Sequence, residues 1–202
     1  MGYHRAGFEV VGVDTAFQKH YPFEFYQADA LTYPPDSFDV IHASPPCQAY
    51  SSMNRRWPGA QDKWPRLIEP LREALKATGL TYVIENVVGA PMENYITLCG
   101  RSFDLGTHRH RKFECSALLL NTPMWCRGWR DHAGVYGRYP DGGRIWTRKD
   151  GHAPLVRVGS LLEAQQRMGI DWMTWPELKE AIPPAYTEYI GRQLMAYLQA
   201  RP

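Results

Sequence analysis

Phe38-Asp39-Val40-Ile41-His42-Ala43-Ser44-Pro45-Pro46-Cys47-Gln48 is the stretch on which the fold turns. Residues 38–43 form a short apolar run with β-branched Val40 and Ile41, which predicts a strand. Ser44-Pro45-Pro46 ends it, because proline has no N–H to give to a sheet ladder and its φ is fixed. Cys47 follows at once, held rigidly at the strand's carboxyl end. These residues leave two readings of the thiol open. It is either a presented nucleophile or a buried cysteine packed behind a proline turn.

On either side, strand and helix signals alternate. Phe8 to Asp14 predicts a buried strand that ends in a carboxylate, and Phe23 to Asp29 a second extended run. Residues 65–78 predict a helix with Leu67, Ile68, Leu71 and Leu75 on one face, stopped by Gly79. Leu80 to Asn86 predicts a strand of β-branched and aromatic residues ending in Glu85-Asn86. Strands joined through helices imply an α/β domain with a parallel sheet, whose ligands bind beyond the carboxyl ends of the strands. Asp14, Asp29, Cys47 and Glu85-Asn86 all fall at such ends. Near the C-terminus, Leu161–Met168 predicts one helix, Thr174-Trp175-Pro176-Glu177 a capped helix start, and Tyr186–Leu198 a closing helix.

The totals set the limits. The chain has 202 residues, 44% of them apolar, enough for one domain with a real core and a small insertion. A net charge of +2 neither demands nor excludes a nucleic-acid partner, so the distribution of charge decides. No apolar run approaches the ~18 residues of a membrane span, and no secretory signal precedes the four cysteines (Cys47, Cys99, Cys115, Cys126). A cytosolic monomer with reduced thiols is the expectation. Residues 101–150 hold ten Lys and Arg against five acids, with Trp125, Trp129, Tyr136, Tyr139 and Trp146 interleaved. A loop-rich, basic, aromatic segment suits a phosphate backbone with unstacked bases, and equally an irregular surface. Cys99, His108, His110, Cys115, Cys126 and His132 share one region, but without a Cys-x-x-Cys or His-x₃-His pair, so no metal site is expected.

Three further motifs bear on chemistry. Glu85 in Ile84-Glu85-Asn86-Val87 is either a desolvated general acid or a solvated strand end. Arg109 and Arg111 in Thr107-His108-Arg109-His110-Arg111 lie on one side of an extended segment, suited to clamping a phosphate or pairing with a buried carboxylate. Ile182-Pro183-Pro184 marks a rigid turn before the last helix.

Taken in order, Pro-Pro-Cys-Gln, Glu-Asn-Val, Arg-x-Arg, a basic stretch and Ile-Pro-Pro before a helix resemble the cytosine-5 DNA methyltransferases, above all the compact phage-type members. The resemblance runs from Gly2 to about Leu194. It implies a Rossmann-like sheet dependent on S-adenosylmethionine, with a catalytic core over 1–114, a small target-recognition insertion over 115–165 and a helical return over 166–202. It implies that Cys47 attacks carbon 6 of a cytosine flipped out of double-stranded DNA, and that Glu85 contacts ring N3 and the exocyclic amine. Asn86 would brace the Cys47 loop, and Arg111, with Arg109 as the second candidate, would steady Glu85 and the base. Asp14 would bind the cofactor's ribose, Asp29 its adenine amine, and Ser44 and Pro45 would line the same pocket.

The chain departs from the family pattern in three places. The opening strand and its Asp-x-Phe-x-Gly-x-Gly-Gly loop are absent, Thr107 stands where Gln is frequent, and Glu180 where Asn is. The absent strand would be the sheet's central one, which raises a competing expectation: a catalytically silent DNA-binding remnant, or a fragment that needs the missing N-terminal segment. A tRNA cytosine methyltransferase is a further alternative. Lone, restriction-linked and phage-protecting enzymes look alike at this level.

Overall fold

The computed structural model describes residues 1–52, 58–122, 133–136 and 156–201. Two parallel strands open the chain after a single helical turn, α1 (Gly2–Arg5): β1 (Val11–Asp14) and β2 (Glu24–Gln27), with Val11 level with Glu24 and Asp14 with Gln27. They form a sheet of their own. A second sheet has the order β3-β4-β6-β5, from β3 (Val40–Ala43), β4 (Thr81–Asn86), β5 (Tyr95–Leu98) and β6 (Arg111–Cys115). β1 and β3 each have a ladder partner on one side only among the described residues.

The parallel sheet expected from the sequence holds for β1–β2 and β3–β4. It fails at β6, which runs antiparallel to both β4 and β5. Residues 99–110 connect β5 to β6 without a crossover helix, so the chain folds straight back, as an antiparallel pair allows. The strand expected over Phe8–Asp14 is shorter and only half-buried at Val11, Gly12 and Val13. With a neighbour on one side, it cannot hide both faces.

β4 has neighbours on both sides and is buried along its whole length. Its side chains alternate between two apolar layers. Val83 joins Phe113 and Cys115 against Tyr186, Ile190 and Leu194 of α5 (Pro184–Gln199). Tyr82 and Ile84 join Ile68 and Leu75 of α2 (Ile68–Ala77), within the helix predicted over 65–78. On that second face Glu114 of β6 is 2% exposed. Arg72 of α2 grips it, Nε to Oε1 at 2.6 Å and Nη2 to Oε2 at 2.8 Å, and the Glu93 amide adds a third bond at 2.7 Å. Two-point contact satisfies both ions where water cannot.

α1 lies against α5 with no space between them. A Cβ on Gly2 would fall 2.1 Å from Pro184 O and Thr187 Oγ1, and one on Gly191 2.8 Å from Ala6 Cβ. Glycine is required at both crossings.

A third cluster gathers Val135, Val158, Ala164, Met168, Trp175 and Leu178. It unites α3 (Leu161–Met168), α4 (Trp175–Leu178) and the short parallel pair β7 (Ala133–Gly134) and β8 (Val156–Arg157). Ser160 caps α3, and Thr174 and Glu177 form the capping box that the sequence predicts. Most of the expected insertion over 115–165 lies outside the described residues, with Cys126, His132 and four of its five aromatic residues. Among the described residues no helix is long and apolar enough to cross a membrane.

Candidate active site

Register brings the polar strand ends of the second sheet together. His42 is level with Val83 and Ala43 with Ile84, so Ser44 continues level with Glu85. Glu85 is itself level with Phe113 of β6, which puts Arg111, two residues earlier, on the same face. Glu85 is 6% exposed. Arg111 Nε lies 2.9 Å from Glu85 Oε1 as an ion pair, while that oxygen has no well-aligned hydrogen bond in the structure. The Ser44 hydroxyl hydrogen-bonds the same carboxyl group.

Burial raises the Glu85 pKa above the usual carboxylate range, and Arg111, Arg109 and the Ser44 hydrogen bond pull against it. Desolvation penalises the charged form, and cations and donors favour it. Cys47 is half-buried, a free thiol, and its pKa is also raised by burial, with Arg111 lowering it and Glu85 raising it. The thiol and the carboxyl group thus feel each other's charge and share one arginine. Asn86 Nδ2 donates to Pro45 O at 2.9 Å and ties the Pro-Pro-Cys loop to the end of β4.

Arg109 has different partners. Its guanidinium donates to Val135 O at 3.0 Å and to Lys179 O at 2.6 Å, and Tyr186 Oη donates to its carbonyl at 2.6 Å. Burial and the charge of Arg111 lower its pKa, yet a guanidinium held by two carbonyls stays protonated. Arg109 therefore joins the sheet to the third cluster, and its charge still bears on Glu85 and Cys47.

Asp14 and Asp29 stand apart from this group, at the exposed carboxyl ends of β1 and β2. Asp14 Oδ1 accepts from the Ala16 amide at 2.8 Å, and Asp29 Oδ1 from the Leu31 amide at 2.9 Å. Each carboxylate ties its own turn and keeps acceptor capacity toward solvent. An open cavity of about 440 Å³, lined by Phe8, Glu9, Val10, Phe23 and Glu24 among others, lies at the opposite ends of these strands. Its lining includes none of Asp14, Asp29, Ser44, Cys47, Glu85, Asn86, Arg109 or Arg111.

One donor cluster escaped the spacing rules. Cys99, His108 and His110 bring ligand atoms within 4.8 Å of one another. The signal was His-x-His on an extended segment, where alternate side chains share a side. Arg109 and Arg111 flank the cluster, and it offers three donors where a closed zinc site uses four.

No family model matches the chain, and no curated protein matches it in sequence. Solved structures do. A DNA modification methyltransferase encoded within a prophage (E. coli) is 15% identical, with 98% of this chain and 95% of that one covered and a TM-score of 0.55. A mutant of DNMT2 from Spodoptera frugiperda is 12% identical, with 98% and 96% covered and a TM-score of 0.54. The chain has the methyltransferase fold. In this methyltransferase fold the Cys47 loop and Glu85 stand at the carboxyl ends of neighbouring strands β3 and β4, where an open α/β sheet places its ligands.

Proposed function

We propose that the chain is a cytosine-5 methyltransferase acting on DNA, with S-adenosylmethionine as methyl donor. One observation carries this reading: a half-buried thiol and a buried carboxyl group of raised pKa share Arg111 at the ends of adjacent strands. That is the donor set cytosine needs. Carbon 5 is a poor nucleophile until a thiolate adds to carbon 6, and a proton delivered to N3 takes up the charge of that addition. Glu85, whose pKa burial raises, supplies that proton, and Cys47 forms and later breaks the carbon–sulfur bond. The carbon-5 proton leaves as the ring regains aromaticity. Arg111 orients Glu85, and Asn86 holds the loop that aims the thiol. The base reaches this cleft only outside the duplex.

The donor set also fits the methyl donor. Asp14 and Asp29 offer free acceptor positions for ribose hydroxyls and an adenine amine, and Ser44-Pro45 lies beside the thiol. When bound, S-adenosylmethionine supplies an electrophilic methyl group. Among the described residues β1 and β3 each have one edge without a ladder partner, which favours a second reading, a chain that binds DNA without turnover.

The test is an oligonucleotide containing 5-fluorocytosine, incubated with cofactor and read by intact mass. Fluorine cannot leave as a proton does, so an enzyme stays covalently attached. A stable adduct that Cys47→Ser abolishes is the expected result. Absence of the adduct, together with no cofactor binding by calorimetry, selects the silent reading. Glu85→Gln slows adduct formation by about 10²–10⁴-fold, the scale of lost acid catalysis.

A further inference from the structure

A chain of hydrogen bonds leads away from Glu85 and runs in one direction. Glu85 as a carboxylate has no proton to give, so the Ser44 hydroxyl donates to it. Ser44 Oγ then accepts, and the atom 3.1 Å from it, His42 Nε2, carries the hydrogen. In a neutral imidazole that leaves Nδ1 bare. Tyr3 Oη lies 2.7 Å from Nδ1 and donates to it. Ser44 and His42 each give one hydrogen and accept one, Tyr3 gives one, and a single tautomer of His42 satisfies them all.

The backbone explains the arrangement. His42 and Ser44 are two residues apart on β3 and share a face, and Ser44 is level with Glu85 across the β3–β4 ladder. Tyr3 comes from α1, held in place by the seam at Gly2 and Gly191. His42 packs between apolar rings, edge-on to Tyr3 at 5.4 Å and tilted against Phe113 at 6.4 Å. Burial lowers its pKa to about 4, and no charged group contributes to that shift, so the ring is neutral at working pH. Around Glu85 stand Arg111 and Arg109 from the β6 segment, Cys47 from the loop after β3, and Tyr3 from α1.

We propose that Tyr3 and His42 are positioning residues that act through Ser44, fixing the direction of the hydroxyl that donates to Glu85 and so setting how readily this carboxyl group yields its proton. With Tyr3 and His42 in place, His42 Nε2 carries its own hydrogen and offers Ser44 no acceptor, so the hydroxyl hydrogen is directed to Glu85. Without Tyr3, His42 can take the other tautomer and accept from Ser44, and without His42 the hydroxyl is free to turn to water; either way it leaves Glu85. The Glu85 carboxylate then loses support, and its pKa rises. The consequence for catalysis rests on the methyl-transfer reading, whereas the hydrogen-bond chain does not.

The test therefore begins without activity. In the full chain labelled with ¹⁵N-histidine, His42 is expected to stay in the neutral Nε2–H form from pH 5.5 to 8.5. An Nδ1–H form, or an imidazolium titrating near the ordinary ~6.5, overturns the proposal. In the chain labelled with ¹³C-glutamate, the Glu85 carboxyl resonance, assigned by its loss in Glu85→Gln, gives the titration midpoint. Ser44→Ala raises that midpoint by about one pH unit, the scale of one hydrogen bond to a charged group. Ser44→Thr keeps a hydroxyl and restores it. Tyr3→Phe keeps the ring and raises it by a smaller amount. Equal midpoints in wild type, Ser44→Ala and Tyr3→Phe overturn the proposal even if all three fold. In the 5-fluorocytosine assay, the pH–rate break that Glu85→Gln removes moves with the midpoint. If the midpoint moves and wild type forms no adduct, the methyl-transfer reading fails and the hydrogen-bond chain stands.

Discussion

Val13 in β1 and Val83 in β4 are the same side chain in strands that each have a parallel neighbour, yet one is half-exposed and the other has no exposed surface. The difference lies in their neighbours. β4 has a strand on each side and helices α2 and α5 on its two faces, whereas among the described residues β1 has β2 alone. A parallel strand earns its burial from the sheet around it rather than from its own composition. The groups that feel each other's charge, Cys47, Glu85, Arg109 and Arg111, also belong to the better-built sheet. The carboxylates assigned to a cofactor, Asp14 and Asp29, belong to the poorer one.

Hydrogen exchange gives the largest expected contrast. Amides of β4 open only with the whole domain, and those on the bare edge of β1 by local fluctuation, so protection differs by a factor on the order of 10³ or more. Equal protection in β1 and β4 would erase the distinction between the sheets. Next in size is Glu114→Ala, which leaves Arg72 charged and unpaired in the second core face. It is expected to cost about 3–5 kcal/mol in urea unfolding. Val83→Ala follows, at about 2 kcal/mol for buried methyl groups plus a cavity, against under about 1 kcal/mol for Val13→Ala. Matching losses would mean that β1 is as well packed as β4.

The smallest effect concerns pH. His42 has a folded pKa of about 4 against an ordinary value of 6.5, so the unfolded chain binds more protons between these limits. Its contribution to stability is complete above pH 6.5 and is lost as pH falls toward 4. His42→Gln flattens that limb of the stability profile. An unchanged limb would mean that water entering along the open side of β3 already solvates the ring.

Much of this could be read from residues close together in the chain. The strand ended by Ser44-Pro45-Pro46, the helix stopped by Gly79 and the Thr174–Glu177 capping box depend on neighbours a few positions away, and their periodicity and spacing are visible directly. The grouping of Cys47 with Glu85 came from strand ends and motif order. What stayed hidden depends on pairing at long range. Glu114 reads as an ordinary strand glutamate until Arg72, 42 residues earlier, is seen to face it. Arg109 was expected beside Arg111, and nothing local indicated that carbonyls at 135 and 179 would hold it. The antiparallel return of β6 was invisible because β5 is too short and mixed to announce itself. The Tyr3–His42 bond spans 39 residues and two elements.

The seam between α1 and α5 carries a consequence for tolerance to change. A methyl group at position 191 touches no ligand and no reacting atom, yet the nearest atoms it would displace are Ala6 Cβ and Tyr3 Cδ1. Steric pressure there would be passed along a rigid ring to a phenol hydroxyl and on to an imidazole. The allowed bulk of a buried position on α5 is in this way coupled to acid–base behaviour at the ends of β3 and β4. An alanine introduced there for helix propensity alone would be felt as an altered titration as well as a lower melting temperature.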